Sequence, residues 1–115
     1  MPLVKLAVSI PVADNQREVL LSAISKAVAE VTGKPERYMM VVLESAAVML
    51  AGQSGPGAYA DVRAIGGLTP ETNGRLSKEI CRVLDQRLGI PSDHVYITYT
   101  EVAATNWGHN GKTLG

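Results

Sequence analysis

Two short stretches decide the fold: Gly33–Tyr38 reads Gly-Lys-Pro-Glu-Arg-Tyr, and Gly89–His94 reads Gly-Ile-Pro-Ser-Asp-His. They lie 56 positions apart, and both carry glycine first and proline third. Glycine tolerates the left-handed backbone that commonly ends a helix, and a proline soon afterwards keeps the helix from continuing. Each stretch therefore predicts the end of a helix followed by a strand, and the match between them indicates that one unit occurs twice.

The residues ahead of each stretch have the periodicity of a helix that is apolar on one side. Asp14 is predicted to cap a first helix running from about Asn15 to Thr32. Thr69-Pro70 predicts the start of a second helix, because a capping hydroxyl precedes a proline at the first helical position. The apolar residues at helical spacing are Val19, Leu20, Ala23, Ile24, Ala27, Val28 and Val31 in the first helix, and Leu76, Ile80, Val83, Leu84 and Leu88 in the second.

Strand-like segments flank both helices, at Pro2–Ile10, Tyr38–Glu44, Ala58–Ile65 and His94–Val102. The order predicts a single α/β (α+β) domain over residues 1–115, built as a tandem βαβ repeat of about residues 2–45 and 58–102. We expect one mixed four-stranded sheet with both helices on one face. The other face and the edges would stay open, which favours association into a closed ring. Asn110-Gly111 predicts a terminal hairpin, and Leu114 follows it where a single chain has no core left to offer.

Composition excludes several classes of protein. The chain has eleven basic and eleven acidic residues, four Tyr, one Trp and no Phe, which argues against a nucleic-acid partner. No apolar run is long enough to span a membrane, and no signal peptide is recognisable. The lone Cys81 fits a reducing compartment, so we expect a cytoplasmic protein, with secretion without a signal peptide left open.

Two further patterns predict no cofactor and no metal. Gly52–Gly57 is rich in glycine, but it lacks the Lys-Ser/Thr ending of a phosphate-binding loop and is interpreted as a turn. His94 and His109 are not at the spacing of helical metal ligands and have no cysteine nearby, so we expect no zinc site.

The chemistry points to Pro2 and Lys34. Methionine is normally removed ahead of a small residue such as proline, which would leave Pro2 with a free secondary amine. A terminal amine has a pKa near ~7.7–8.0, and burial or a nearby cation lowers it, so that a neutral base exists near physiological pH. Lys34 supplies a cation in the half that begins with Pro2, whereas Ile90 occupies the equivalent place in the other half. A base and a cation together are what the enolisation of an α-keto carboxylate requires.

Several motifs in register resemble the macrophage migration inhibitory factor family of the tautomerase superfamily. They are Met1-Pro2, Thr32–Tyr38, Ile65-Gly66, Ser77-Lys78 and Val95–Tyr99, and together they extend over essentially the whole chain. The resemblance implies a homotrimer whose three sheets form a barrel, with active sites at the subunit boundaries. It also implies keto–enol conversion of small phenylpyruvate-like α-keto acids.

The resemblance assigns roles to individual residues. Pro2 would shuttle the proton, Lys34 would bind the substrate carboxylate, and Ile65 would contribute a backbone contact. Tyr96 would come from a neighbouring subunit, and Tyr38 would lie near the mouth of the pocket or simply be a half-buried strand residue.

Three departures from the family pattern bear on specificity. Thr98 stands where members often carry asparagine, Trp107 replaces a valine, and His109 replaces a tryptophan. Thr98 and Trp107 are therefore expected substrate contacts with altered preference. The Cys-x-x-Cys of mammalian members is absent, since Ala58–Asp61 occupies that place, and thiol–disulfide activity of that motif is not expected.

Two alternatives stay open at this point. One is a hydratase or dehalogenase of the same fold that uses the same Pro2 and would need in the site either additional arginines, for which Arg37 and Arg63 are the candidates, or a carboxylate that activates water. The other is a signalling or binding protein that engages a partner and keeps only vestigial activity.

Overall fold

The computed structural model describes all residues, 1–115, and contains ten regular elements. In chain order these are β1 Pro2–Val8, α1 Asp14–Thr32, β2 Met40–Ser45, β3 Met49–Leu50, β4 Gln53–Ser54, β5 Ala58–Ala64, α2 Pro70–Leu88, β6 Val95–Glu101, β7 Gly108–His109 and β8 Lys112–Thr113. Short 3-10 turns lie at Glu36–Tyr38, Ser92–His94 and Ala104–Asn106.

The four long strands form one mixed sheet in the order β2-β1-β5-β6. β1 runs parallel to β2, β5 runs parallel to β6, and the two pairs meet where β1 lies antiparallel to β5. The predicted tandem βαβ arrangement and the mixed four-stranded sheet are therefore confirmed.

The antiparallel junction gives the sheet two distinct ends. Pro2 pairs with Ala64 at one end, and Val8 pairs with Ala58 at the other. We call these the Pro2 end and the Ala58 end. Each end combines the start of one repeat with the close of the other, as a two-fold relation between the repeats requires.

Both helices cover the same face of the sheet, as predicted. Alternate strand residues face them and are fully buried, because side chains point to opposite faces of a strand in turn. The buried apolar residues of the core are Val4, Leu6, Val8, Leu20, Ile24, Val28, Ala58, Ala60, Val62, Ala64, Leu76, Ile80, Val83, Leu84 and Ile90. Val19, predicted to belong to the apolar stripe of α1, is instead 44% exposed.

The predicted helix ends are confirmed, with one correction. Gly33 and Gly89 adopt left-handed backbone, at φ of 70° and 66°, and close their helices. Thr69 caps α2 through its hydroxyl oxygen, which accepts a hydrogen bond from the backbone N–H of Thr72. Asp14 does not cap α1: it lies inside the first turn and pairs with Arg17, while the residue before it occupies the cap position.

Strand boundaries also differ from the predictions. Tyr38 and His94, predicted to begin strands, lie in 3-10 turns, because Pro35 and Pro91 each start a tight turn whose i→i+3 bond uses the backbone N–H of Tyr38 and His94. The tail hairpin is confirmed, with Asn110 at φ of 53° and Gly111 at φ of 78° between β7 and β8.

The other face of the sheet is uncovered and partly apolar. Met40, Val42, Tyr59 and Tyr96 are 62%, 38%, 41% and 70% exposed there. Single chains rarely expose a continuous apolar sheet face, so this surface is suited to contact with other copies. Neither helix is long and apolar enough to cross a membrane.

Candidate active site

Pro2 begins β1 at the Pro2 end of the sheet and is fully buried opposite Ala64. Met1 precedes it and is only half-buried. Two causes lower the pKa of the Met1 α-amine from its ordinary value of 8.0. Partial burial is the larger, and the positive charge of Lys34 is the smaller. Burial and the charge of Lys34 therefore both act on an amine at the Pro2 end of the sheet. Pro2 is more deeply buried there than Met1.

Lys34 reaches across from the loop after α1 to the segment that follows β5. Its Nζ donates hydrogen bonds to the carbonyl oxygens of Ile65, at 3.0 Å, and Gly66, at 2.8 Å. Burial lowers the pKa of Lys34 from 10.5, and the negative charge of Glu101 partly offsets that effect. Lys34, Ile65 and Pro2 thus lie at one end of the sheet, where the sequence-based hypothesis needs them.

Glu101 also belongs to this end, and sequence reasoning missed it. It is the last residue of β6 and pairs with Ala64, the residue opposite Pro2. Its carboxylate accepts a hydrogen bond of 3.0 Å from the backbone N–H of Leu68. The sequence signal that could have identified Glu101 is an acidic residue at the end of a predicted strand.

Tyr38 lies at the same end, at the edge of the sheet. It precedes β2, in which Met40 pairs with Leu3, and its ring is 44% exposed. The Arg37 guanidinium lies 4.6 Å from the ring centre, and its Nη2 donates a hydrogen bond of 3.3 Å to the Tyr38 hydroxyl. Tyr38 is thus an exposed aromatic beside a cation rather than a covered strand residue.

Trp107 lies in the segment that follows β6. This segment starts at the Pro2 end, where the backbone N–H of Val102 donates a hydrogen bond to the carbonyl of Ala64. Trp107 is half-buried, and its carbonyl accepts the N–H of Leu114 across the tail hairpin. The backbone leaves the sheet near the site, but the tail itself packs mainly on its own 3-10 turn.

Tyr96 and Thr98 do not join Pro2 within one chain. Tyr96 pairs with Tyr59, five residues before Ala64, which separates it from the Pro2 end by roughly 17 Å at ~3.3 Å per residue. Thr98 lies between the two ends, and its hydroxyl shares a hydrogen bond of 2.6 Å with the Tyr59 hydroxyl. Both side chains lie on the uncovered face.

Arg37 and Arg63, the arginines considered for the hydratase or dehalogenase alternative, both lie near the Pro2 end, but each contacts another side chain there. Arg63 pairs with Asp61 at 3.2 Å, and Arg37 lies over the ring of Tyr38. No group of three or more His, Cys, Asp or Glu side chains comes together anywhere in the chain.

Comparisons with known proteins agree with this architecture. The sequence model of the family described as Macrophage migration inhibitory factor (MIF) matches residues 1–115. The chain belongs to the macrophage migration inhibitory factor family. The resemblance inferred from its motifs is therefore confirmed, and with it membership of a family with the tautomerase fold.

Relatives and solved structures of this family cover nearly the whole chain. Macrophage migration inhibitory factor of Meriones unguiculatus is 37% identical over 98 residues, covering 84% of this chain and 85% of the relative. That of Xenopus laevis is 34% identical over 102 residues, covering 88% and 89%. The structure of the homologue from Prochlorococcus marinus has a TM-score of 0.92 at 35% identity, covering 98% of this chain and 99% of the other. That of the factor from Toxoplasma gondii has a TM-score of 0.93 at 28% identity, covering 96% and 98%.

Proposed function

We propose that this member of the macrophage migration inhibitory factor family is a keto–enol tautomerase that acts on phenylpyruvate-like α-keto acids. The observation that carries the proposal is the joint placement of Pro2 and Lys34. A buried strand start lies at the same end of the sheet as a lysine whose ammonium is held by the carbonyls of Ile65 and Gly66. The site thus combines a place for an amine base with a cation for a carboxylate.

Removal of Met1 is the first requirement of the mechanism. With Met1 attached, the Pro2 nitrogen is an amide and has no basic lone pair. Once it is free, this secondary amine experiences the burial and the positive charge that lower the pKa of the terminal amine. Its neutral form is then present near physiological pH, where a general base works best.

The reaction itself is a balanced proton transfer. The Pro2 nitrogen takes a proton from the carbon next to the keto group, and the electrons of that C–H bond form the carbon–carbon double bond. The carbonyl oxygen becomes an enolate and receives the proton that the Pro2 nitrogen had taken, directly or through water, so that the enol forms and the amine is neutral again. Lys34 binds the carboxylate and stabilises the negative charge that develops beside it.

A second copy completes the site in this proposal. Tyr96 is about 17 Å from the Pro2 end of its own chain and lies exposed on the uncovered face. A homotrimer in which the sheets face inward would cover that face and bring Tyr96 of one copy to the Pro2 end of the next. Thr98, Trp107 and Tyr38 would then line or border the pocket.

The experiment compares free Pro2 with blocked Pro2. Phenylpyruvate tautomerisation is followed by the ultraviolet absorbance of the enol, using protein in which intact mass shows that Met1 is gone. The same protein with a protease-removable extension ahead of Pro2 should lose activity by about a hundredfold or more, since general-base catalysis contributes 10²–10⁴-fold. Removal of the extension should restore it. Full activity in the extended protein, shown by circular dichroism to be folded, contradicts the mechanism.

A covalent probe gives a second readout. The structure of Pt0534 inactivated by 2-oxo-3-pentynoate has a TM-score of 0.87 at 24% identity, which establishes a shared fold only. A secondary amine can add to the triple bond of this keto acid: an N–C bond forms, the triple bond becomes a double bond, and the proton of the amine moves to the neighbouring carbon. We expect the protein with free Pro2 to gain the mass of one probe molecule on the Pro2 peptide, and the extended protein to gain none.

A further inference from the structure

A groove with a volume of about 600 Å³ lies between the two helices rather than at the Pro2 end. Five cationic side chains line it, against two carboxylates. The cations are Lys26, Arg75, Lys78, Arg82 and Arg87, and the carboxylates are Glu30 and Glu79. The whole chain has eleven residues of each sign, so nearly half of its positive charge is concentrated in one place.

Ion pairs within the fold do not account for this concentration. Only Arg82 has a carboxylate partner, Glu79 at 2.7 Å. The other four cations have neither a salt bridge nor a side-chain hydrogen bond. Their positive charge is therefore available to a ligand.

The spacing along α2 places like charges next to one another. Arg75, Lys78 and Arg82 follow at intervals of three and four residues, which makes them neighbours on the helix surface. Like charges at these spacings destabilise a helix. A bound anion would relieve that repulsion. Arg87 lies in the last turn, where a cation is also favoured by the helix dipole, so Arg87 alone indicates nothing.

We propose that this groove binds a compact polyphosphate, which makes it a second ligand site separate from the Pro2 end. Guanidinium groups match phosphate oxygens in pairs and lysines add point charges, so both residue types suit this ligand. A groove of this volume is in the range that holds small ligands.

Two other anionic partners fit less well. The lining contains no aromatic side chain on which a base could stack, which disfavours single-stranded nucleic acid. A lipid surface would require apolar side chains that insert beside the cations, yet Val19 is the one exposed large hydrophobic residue on either helix. The groove therefore suits a small polyphosphate free in solution better than a nucleic acid or a lipid surface.

The test is calorimetric titration of the full chain with inorganic tripolyphosphate. We expect one saturable site per chain whose affinity falls as salt is raised, because screening weakens interactions between exposed charges. The double variant Arg75→Gln, Lys78→Gln should bind tripolyphosphate about tenfold more weakly or worse, since each substitution removes one charge-assisted contact with the ligand. Glu30→Gln should strengthen it by removing a negative charge from the groove. Glutamine is a good helix former, so these variants should keep their helices.

Two controls distinguish the groove from general attraction. The pair Arg17→Gln, Lys112→Gln removes the same charge outside the groove and should leave the affinity within about twofold, as expected for distant exposed charges. Lys34→Gln should leave tripolyphosphate binding unchanged. The proposal is overturned by absence of saturable binding at low salt, by equal losses in the two charge-matched pairs, or by loss of binding in Lys34→Gln, which would place the anion at the Pro2 end.

Discussion

The Pro2 end and the Ala58 end of the sheet are built from equivalent positions of the two repeats, but their side chains differ in kind. Pro2, Lys34 and Glu101 lie at one end, and the residues 56 positions away from them, Ala58, Ile90 and Ser45, lie at the other. Lys34 is half-buried and bonds to backbone carbonyls, whereas Ile90 is completely buried in the core. One backbone geometry thus supports one end that carries charged side chains at these positions and one end that carries none.

The residues that precede β1 and β5, the first strands of the two repeats, also differ between the two ends. Under the proposed mechanism, removal of Met1 exposes the nitrogen of Pro2. Ala58 is preceded by Gly57, whose N–H donates to the Ser9 hydroxyl and whose missing side chain leaves room for Val48. A Cβ on Gly57 would lie 2.7 Å from a Val48 methyl carbon. The Ala58 end is therefore closed by packing, while the Pro2 end keeps the charged groups of Lys34 and Glu101.

Ile90→Ala should have the largest effect, and on stability alone. Removing a fully buried isoleucine side chain costs about 2–5 kcal/mol in free energy of unfolding. Denaturant unfolding at fixed protein concentration measures it, with Lys34→Ala as the matched control at the equivalent position. If the two variants lose the same stability, the two ends do not differ as described.

Lys34→Ala should reverse that pattern and damage catalysis. A charge-assisted hydrogen bond is worth roughly 1.5–3 kcal/mol, so kcat/KM for phenylpyruvate should fall about tenfold or more. The methyl ester of the same acid should lose much less, because it carries no carboxylate. Equal losses for acid and ester would mean that Lys34 acts on the base or the fold instead.

Glu101→Gln should have the smallest effect, a displaced pH profile. Activity should rise with pH as the Pro2 amine loses its proton, and we expect burial and Lys34 to lower the pKa of that amine as they lower the pKa of the Met1 α-amine. Activity should fall again as Lys34 loses its proton, below the ordinary pKa of 10.5. Since the charge of Glu101 raises the pKa of Lys34, removing it should move the falling limb to lower pH. An unmoved falling limb in the variant would show that Lys34 does not set it.

The sequence predicted those features that depend on local backbone chemistry. The glycines at 33 and 89, the Thr69-Pro70 helix start and the Asn110-Gly111 turn all act within a few residues of themselves. The assignment of Asp14 as a cap failed, because the backbone of the preceding residue already accepts the first helical bonds from Gln16 and Arg17.

Contacts between distant segments could not be predicted in the same way. The bonds of Lys34 to Ile65 and Gly66 join residues 31 and 32 positions apart, and their direction depends on how the two repeats meet. The same holds for Glu101 and Leu68. The sequence predicts a turn at Gly52–Gly57 but not the hairpin of β3 and β4, because these strands are two residues long and carry no alternating pattern.

We expect Tyr96 of a second copy to complete the site at the Pro2 end. Complementation tests it directly: Pro2→Gly and Tyr96→Ala proteins, each nearly inactive alone, are dissociated, mixed in equal amounts and reassembled. In a cyclic trimer each mixed assembly has one boundary where an intact Pro2 meets an intact Tyr96. Random assembly should therefore restore about one site in four. A mixture as inactive as its parts, or a dimer on size analysis, would contradict the account.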